Sequence, residues 1–328
     1  MTKNLMKALL GATILGLGTL ASSVASAECD WKPKRAVTYI VPWGAGGGTD
    51  ANARMLSSLL SEEMGQPFNV VNRTGGNGVT GHSAIIRAKP DGYTIGSSTT
   101  EINTMHWIGL TDINYEQLTP IALLDLVPAG FTVAADSPYN SLAEVLAEAK
   151  ANPGKITASG TSQGGIWHLA LAGLLNAEGM DPASIRWIPS KGAAPAIKEL
   201  MAGGVNVITV AQSEVKSLIE QGELKGLAYM NDERMPSLPD IPTTVEQLDS
   251  GWTLSSYQAL TGPAGMDKEI ACSYEKAVLK VLKTKEWADF KASRGADVVI
   301  MGADEVGSLI AKTDKNLGDT IKAIGLAK

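Results

Sequence analysis

The chain has 328 residues, 44% hydrophobic and 19% charged, enough apolar material for two cores or one large one. Its formal net charge is −6 with no basic block, which excludes nucleic acid and anionic membrane as natural partners. Three histidines and two cysteines, scattered without metal-ligand spacing, exclude a zinc or iron centre, and no cofactor is expected.

Lys3 and Lys7, an apolar run over 8–20 and Ala25-Ser26-Ala27 form the three parts of a cleaved secretion signal. Residues 1–27 are therefore read as a signal peptide, and the mature protein as exported to the periplasm, beginning at Glu28. Loss of the two lysines takes the net charge from −6 to −8. Glu28 before Cys29 is the wrong residue for lipid attachment. In an oxidising compartment Cys29 and Cys272 suffice for one bridge or remain two separate thiols, and both options stay open.

Apolar, β-branched runs then alternate with helical patterns. Strands are expected over 37–41, 68–71 and 93–97, with helices over 51–64 and 79–88 between them. After a strand at 131–134, the helix 142–151 starts at Ser141 and stops at Asn152-Pro153-Gly154. Strands 156–158, 185–188, 205–210 and 224–230 follow, interleaved with helices 166–178, 194–202 and 215–221. The end of the chain reads as a strand over 252–261 and helices over 268–283, 287–293 and 305–324. Such βα alternation marks an α/β fold with mainly parallel sheets flanked by helices. It divides into a first domain of 28–125 with 252–328 and a second of 126–251.

The densest motif is Val41-Pro42-Trp43-Gly44-Ala45-Gly46-Gly47-Gly48-Thr49-Asp50, in which a strand breaks into glycines before a helix. Backbone N–H groups at such a junction hold anions. Residues 46–51 spell G-x-G-x-x-A, but the position about 20 residues on, where a dinucleotide site needs an acidic residue, reads Asn69, Val70, Val71, Asn72. Asp50 is read first as a helix-dipole carboxylate, and Arg54 and Arg73 as structural ion-pair partners. Gly160-Thr161-Ser162-Gln163-Gly164 matches the G-x-S-x-G nucleophile elbow, so an exported serine hydrolase using Ser162 is the enzyme alternative. The required order of Ser, acid and then His fails, because His168 is the last histidine and no acid stands between it and Ser162. The loop reads better as a second helix N-terminus lined by hydroxyls. Trp43 and His168 each fit either core packing or a pocket wall.

Taken in order, these segments resemble the exported solute-binding proteins of tripartite tricarboxylate transporters, the Bug or TctC-like family. Val41-Pro42-Trp43 through Gly46-Gly47 to Asp50 and Ala53-Arg54 follows the family's opening. Asn72-Arg73-Thr74-Gly75 resembles N-R-P-G, and Ala88-Lys89-Pro90-Asp91-Gly92-Tyr93-Thr94 follows A-x-P-D-G-Y-T. Lys191-Gly192 with Pro195-Ala196, the run Arg234 to Thr243 with Glu246, and Gly262-Pro263-Ala264-Gly265 continue the pattern to the end of the chain.

The resemblance implies a two-lobed periplasmic binding protein of the type II kind, its lobes joined by crossing strands. It implies a monomer, not an enzyme, that closes over a small carboxylate and delivers it to the permease subunits in the membrane. Di- and tricarboxylates, aromatic carboxylates and acidic amino acids all fit, and a sensory role toward a membrane kinase uses the same closure. Carried onto this sequence, Trp43, Gly44, Ala45, Gly46 and Gly47 form one jaw, with Asp50 behind it able to fix a water or an amine, and Asn77, Ser98 and Thr99 beside it. Thr161, Ser162, Gly164, His168, Lys191, Gly192 and Gln212 line the facing lobe. The chain departs from the family pattern at Ala158 and Gly160, where tyrosine and serine are usual, and across 100–115.

Overall fold

The computed structural model describes residues 29–161, 163–190, 192–294 and 296–328; the signal-peptide reading, Ser162 and Lys191 lie outside them. The first half opens with β1 (Val37–Val41), α1 (Gly48–Met64), β2 (Phe68–Asn72), α2 (Val79–Ile86) and β3 (Thr94–Thr99). A long strand, β4 (Leu118–Ala134), leads into α3 (Leu142–Ala151), β5 (Thr157–Ser159), α4 (Ile166–Ala177), β6 (Arg186–Trp187), α5 (Ala193–Met201), β7 (Val207–Ala211), α6 (Gln212–Glu220) and β8 (Leu224–Tyr229). The chain closes with α7 (Thr244–Gln247), β9 (Ser255–Pro263), α8 (Lys268–Val281), α9 (Lys285–Ser293) and α10 (Ala303–Ala323).

Side-chain periodicity accounts for these elements. Every residue of β1 except Thr38 is buried, as expected of a strand covered on both faces. In α1 the buried Ala53, Leu56, Leu60 and Met64 recur at helical spacing, and Gly65 ends the helix in the left-handed region at φ 74°. Helix α1 begins at Gly48, three residues before the expected start, and so places Asp50 in its first turn, where a carboxylate suits the dipole.

The strands form one curled sheet in the order β2-β1-β3-β9-β4-β7-β5-β6, with β8 also on β4. β1 pairs in parallel with β2 and β3, β5 pairs in parallel with β6 and β7, and the joining strands β4 and β9 run antiparallel to their neighbours. β4 changes partners along its length: residues up to Pro128 pair with β9, and those from Ala129 onward with β7 and β8. The sequence predicts only its last four residues as strand. Pro120 and Pro128 argue against a central strand, yet Pro120 sits at a register shift and Pro128 at the change of partners, where few ladder bonds are forfeited.

Three large apolar clusters among the described residues hold the layers together, beside a small fourth around Tyr229, Met235 and Ile241. Tyr39, Leu56, Tyr274 and Trp287 pack on one side of the first sheet half, and Ile40, Ile85, Ile102 and Tyr257 on the other. Phe131, Leu171, Leu174 and Ile208 centre the third, around the second half. α10 serves two of them, burying Val306 and Ile310 in one cluster and Leu317 and Ile321 in another. Cys29 and Cys272 form a disulfide with Cα atoms 5.3 Å apart, fastening the start of the described chain to α8. No described helix is long and apolar enough to cross a membrane.

Candidate functional site

The glycine loop leaves the carboxyl end of β1 and is braced from behind by one carboxylate. Asp50, 2% exposed, accepts from the Gly46 N–H at 2.9 Å, from Arg54 Nε at 2.9 Å and Nη2 at 3.0 Å, and from Asn72 Nδ2 at 2.8 Å. Asn72 Nδ2 also donates to the Trp43 carbonyl at 2.9 Å, so both ends of the loop are tied to one cluster. Pairing with Arg54, aided by Gly46 and Asn72, holds the Asp50 carboxyl down to about 2 against the opposing effect of burial. Gly46 turns at φ 88°, a conformation that glycine adopts without strain.

This brace fixes the start of α1, whose cap residue, Gly47, contributes no side-chain hydrogen bond. Among the other helices the hydroxyl or carboxylate of Ser141, Asp267 and Thr284 caps α3, α8 and α9, whereas α2, α5 and α10 also start at glycines that give no side-chain bond. The first-turn N–H groups of α1 thus lack a side-chain cap at the positive end of a 17-residue helix. Gly47, Gly48 and Thr49 open directly onto a cavity of about 610 Å³, together with Trp43, Gly44, Ala45 and Thr99. Trp43 lines the cavity and also donates from Nε1 to Thr99 Oγ1 at 3.2 Å.

The cavity floor is a polar network carried by β4 and β9. Gln258 Nε2 donates to the Thr49 carbonyl at 3.1 Å and to Ser97 Oγ at 2.7 Å, while its Oε1 accepts from Asn52 Nδ2 at 2.8 Å. Asn52 Nδ2 also reaches Asp125 Oδ2 at 3.0 Å, and the fully buried Lys291 pairs with Asp125 Oδ1 at 2.6 Å. Asp125 therefore enters the cavity wall with its charge already matched.

An adjoining cavity of about 600 Å³ is bounded on one side by Asn77, Thr100, Glu101 and Thr104 and on the other by Thr161, Gln163, Gly164 and Gly165. Glu101 belongs to both cavities. Asn77 stands in the left-handed region at φ 53°, within a turn held by His82. The His82 ring bonds the Gly78 carbonyl through Nδ1 at 2.8 Å, and its Nε2 accepts from the Thr99 N–H at 3.1 Å. Burial lowers His82 to about 4, so the ring is neutral with its proton on Nδ1.

Across the cleft, α4 is again capped by a glycine, Gly165, without a side-chain bond. His168 Nδ1 accepts from the Gly164 N–H at 3.0 Å, and its ring lies 5.0 Å from that of Trp187. Burial lowers His168 to about 4, so it acts as a neutral brace for this second loop. Thr161 Oγ1 is buried without a hydrogen-bond partner among the described residues.

The structure thus brings Trp43, Gly44, Ala45, Gly47 and Thr99 onto one cavity, and Asn77, Thr161 and Gly164 onto the next. Gly46 and Asp50 shape the loop from behind, the carboxylate of Asp50 accepting from Gly46, Arg54 and Asn72. Ser98 is fully buried within β3, and Gly192 caps α5. Gln212 lies against Gly130 of β4 and donates to the Ala228 carbonyl at 3.4 Å, so its amide is packed on the crossing strand rather than on either large cavity. Glu101, Asp125 and Gln258 escape the sequence reading. Their signal is faint: Asp125 is the single charge in the 17 residues of β4, and Gln258 is an amide in β9 beside Ser255, Ser256 and Thr261, where nothing sets it apart. Among the described residues, no group of three or more His, Cys, Asp or Glu could hold a metal ion.

A family model described as tripartite tricarboxylate transporter family receptor matches residues 52–326. The protein BugT of Bordetella pertussis is 28% identical, the match covering 95% of this chain and 96% of BugT. Among solved structures, a TctC solute-binding protein from Polaromonas is 31% identical, covers 88% of this chain and 99% of its own, and superposes with a TM-score of 0.83. An R. palustris protein solved with adipate is 27% identical, covers 91% and 99% respectively, and superposes at 0.69. The fold is that of these periplasmic binding proteins, and the chain belongs to the TctC family of solute-binding receptors of tripartite tricarboxylate transporters.

Proposed function

We propose that the protein captures a small carboxylate in the periplasm and presents it to the membrane permease subunits of a tripartite tricarboxylate transporter. The lobes would be 28–125 with 252–328 and 126–251, hinging about β4 and β9. The observation that carries the reading is the pair of helix N-termini, α1 and α4, each capped by glycine without a side-chain bond, that open onto adjoining cavities. A side-chain cap would compete for the N–H groups that a carboxylate needs; glycine leaves them for a ligand. Closure would bring both sets of donors onto the anion and exclude water, which strengthens each bond. The acidic net charge does not oppose this, since local N–H dipoles decide within a few ångströms while distant charges are screened over about 8–10 Å. The adipate complex of the R. palustris relative supports a carboxylate as ligand class.

The reading is tested by thermal shift with a panel of aliphatic di- and tricarboxylates, aromatic carboxylates and acidic amino acids. A binder at 100 times its dissociation constant adds about 2.7 kcal/mol, which raises Tm by several degrees. A panel without effect, alongside a shift with neutral sugars, would remove the carboxylate from the proposal.

A further inference from the structure

Glu101 is out of place in a pocket meant for anions alone. It follows β3 directly and lines both cavities, so it faces the space between the two glycine-capped helices. Its Oε2 accepts from Thr99 Oγ1 at 2.6 Å, and Thr99 Oγ1 in turn accepts from Trp43 Nε1 at 3.2 Å. An indole N–H can only donate, so the Thr99 hydroxyl hydrogen is free to point at Glu101, and the relay holds that carboxyl oxygen as an acceptor.

The charge balance of the cavity separates Glu101 from the other wall carboxylate. Asp125 is matched by Lys291 and Asn52. No described cation forms an ion pair with Glu101; Lys328 lines the adjoining cavity with its stem against Gly109. Burial, only partly offset by the Thr99 hydrogen bond, pushes the Glu101 carboxyl up, and a cation seated beside it would push it back down. A plain dicarboxylate would set a like charge against it, whereas a ligand with an ammonium group would satisfy it.

We propose that Glu101 determines specificity by selecting a ligand that carries a cationic amine as well as a carboxylate, the amine seated on Glu101 and the carboxylate on the first turn of α1. This rests on the carboxylate reading above and narrows it to zwitterionic or amino-substituted acids. A carboxylate-only ligand is disfavoured at the same place by repulsion, so Glu101 acts both for one class and against the other.

The test is calorimetric titration of the mature protein with sets matched in length: succinate, aspartate and 4-aminobutanoate; glutarate, glutamate and 5-aminopentanoate; adipate, 2-aminoadipate and 6-aminohexanoate. The wild type is expected to prefer an amine-bearing member of at least one set over its plain diacid by about thirtyfold or more. Glu101→Gln, nearly isosteric, should erase that preference, and Glu101→Asp should restore part of it, each checked for an unchanged melting profile. Preference of the wild type for the plain diacids, or an amine preference that survives Glu101→Gln, would overturn the assignment while leaving carboxylate binding intact. Absence of binding by every member would also overturn this inference, while the carboxylate reading itself would stand or fall on the wider thermal-shift panel.

Discussion

Asp50→Asn puts the loop brace to a quantitative test. The substitution keeps the shape of the side chain but removes its charge, turning one acceptor oxygen into a donor that faces Arg54 Nη2 or Asn72 Nδ2. The folded carboxyl stands at about 2 against an ordinary 3.8, a difference worth about 2 kcal/mol. The charge-assisted bond to Gly46 is already part of that difference, so about 2 kcal/mol is expected in all. For a chain of this size that is a fall in Tm of about 3–4 °C at pH 7. The sign with pH is fixed: because the folded value is depressed, the stabilisation is complete above the unfolded carboxyl's range and is lost as pH falls from about 5 toward 2. Differential scanning calorimetry of wild type and variant between pH 7 and 3 should show a gap that narrows with acid. A gap below about 1 °C at pH 7, or one that widens as pH falls, would refute the brace.

Gly47→Val distinguishes the jaw from the fold. Gly47 is extended at φ −76°, and an added Cβ meets only the Gly44 carbonyl, at 3.8 Å, so the loop can accept a side chain at a cost of about 1 kcal/mol for the poorer cap. The branched side chain would stand over the first-turn N–H groups, and affinity for any carboxylate identified by thermal shift should fall by at least about a hundredfold, or 2.7 kcal/mol, read by titration. Unchanged affinity would place the ligand elsewhere. Acid sensitivity should also appear well above the carboxylate range, because His82 and His168 are held neutral to about 4. An unfolded histidine takes up its proton near 6.5, so stability is fullest above that value, declines as pH falls, and levels off near 4, by on the order of 3 kcal/mol for each ring. Denaturant midpoints across pH 4–7 measure this, and His82→Gln should flatten the profile; a profile that is flat in the wild type would contradict the buried neutral rings.

Much of the molecule is legible in the order of its residues. Local patterns specify the local elements: the apolar run 37–41, the helical spacing of Ala53, Leu56 and Leu60, and the cap at Ser141 reappear in β1, α1 and α3 with little displacement. The glycine loop is equally readable, because only backbone that must turn and expose N–H groups needs Gly44, Gly46, Gly47 and Gly48 together. The tertiary structure alone decides what lies far apart in the chain. β4 carries two prolines, and its pairing first with β9 and then with β7 and β8 comes from partners more than 70 residues away that no local window contains. The cavity floor joins Asn52 to Asp125 and Gln258, residues that are individually ordinary polar side chains in sequence. Glu101 gains its meaning in the same way. Its bond to Thr99 is local, but only folding sets it between the two cavities, partly desolvates it and leaves it without a described cation, because desolvation and charge balance are properties of the assembled cleft and not of the chain.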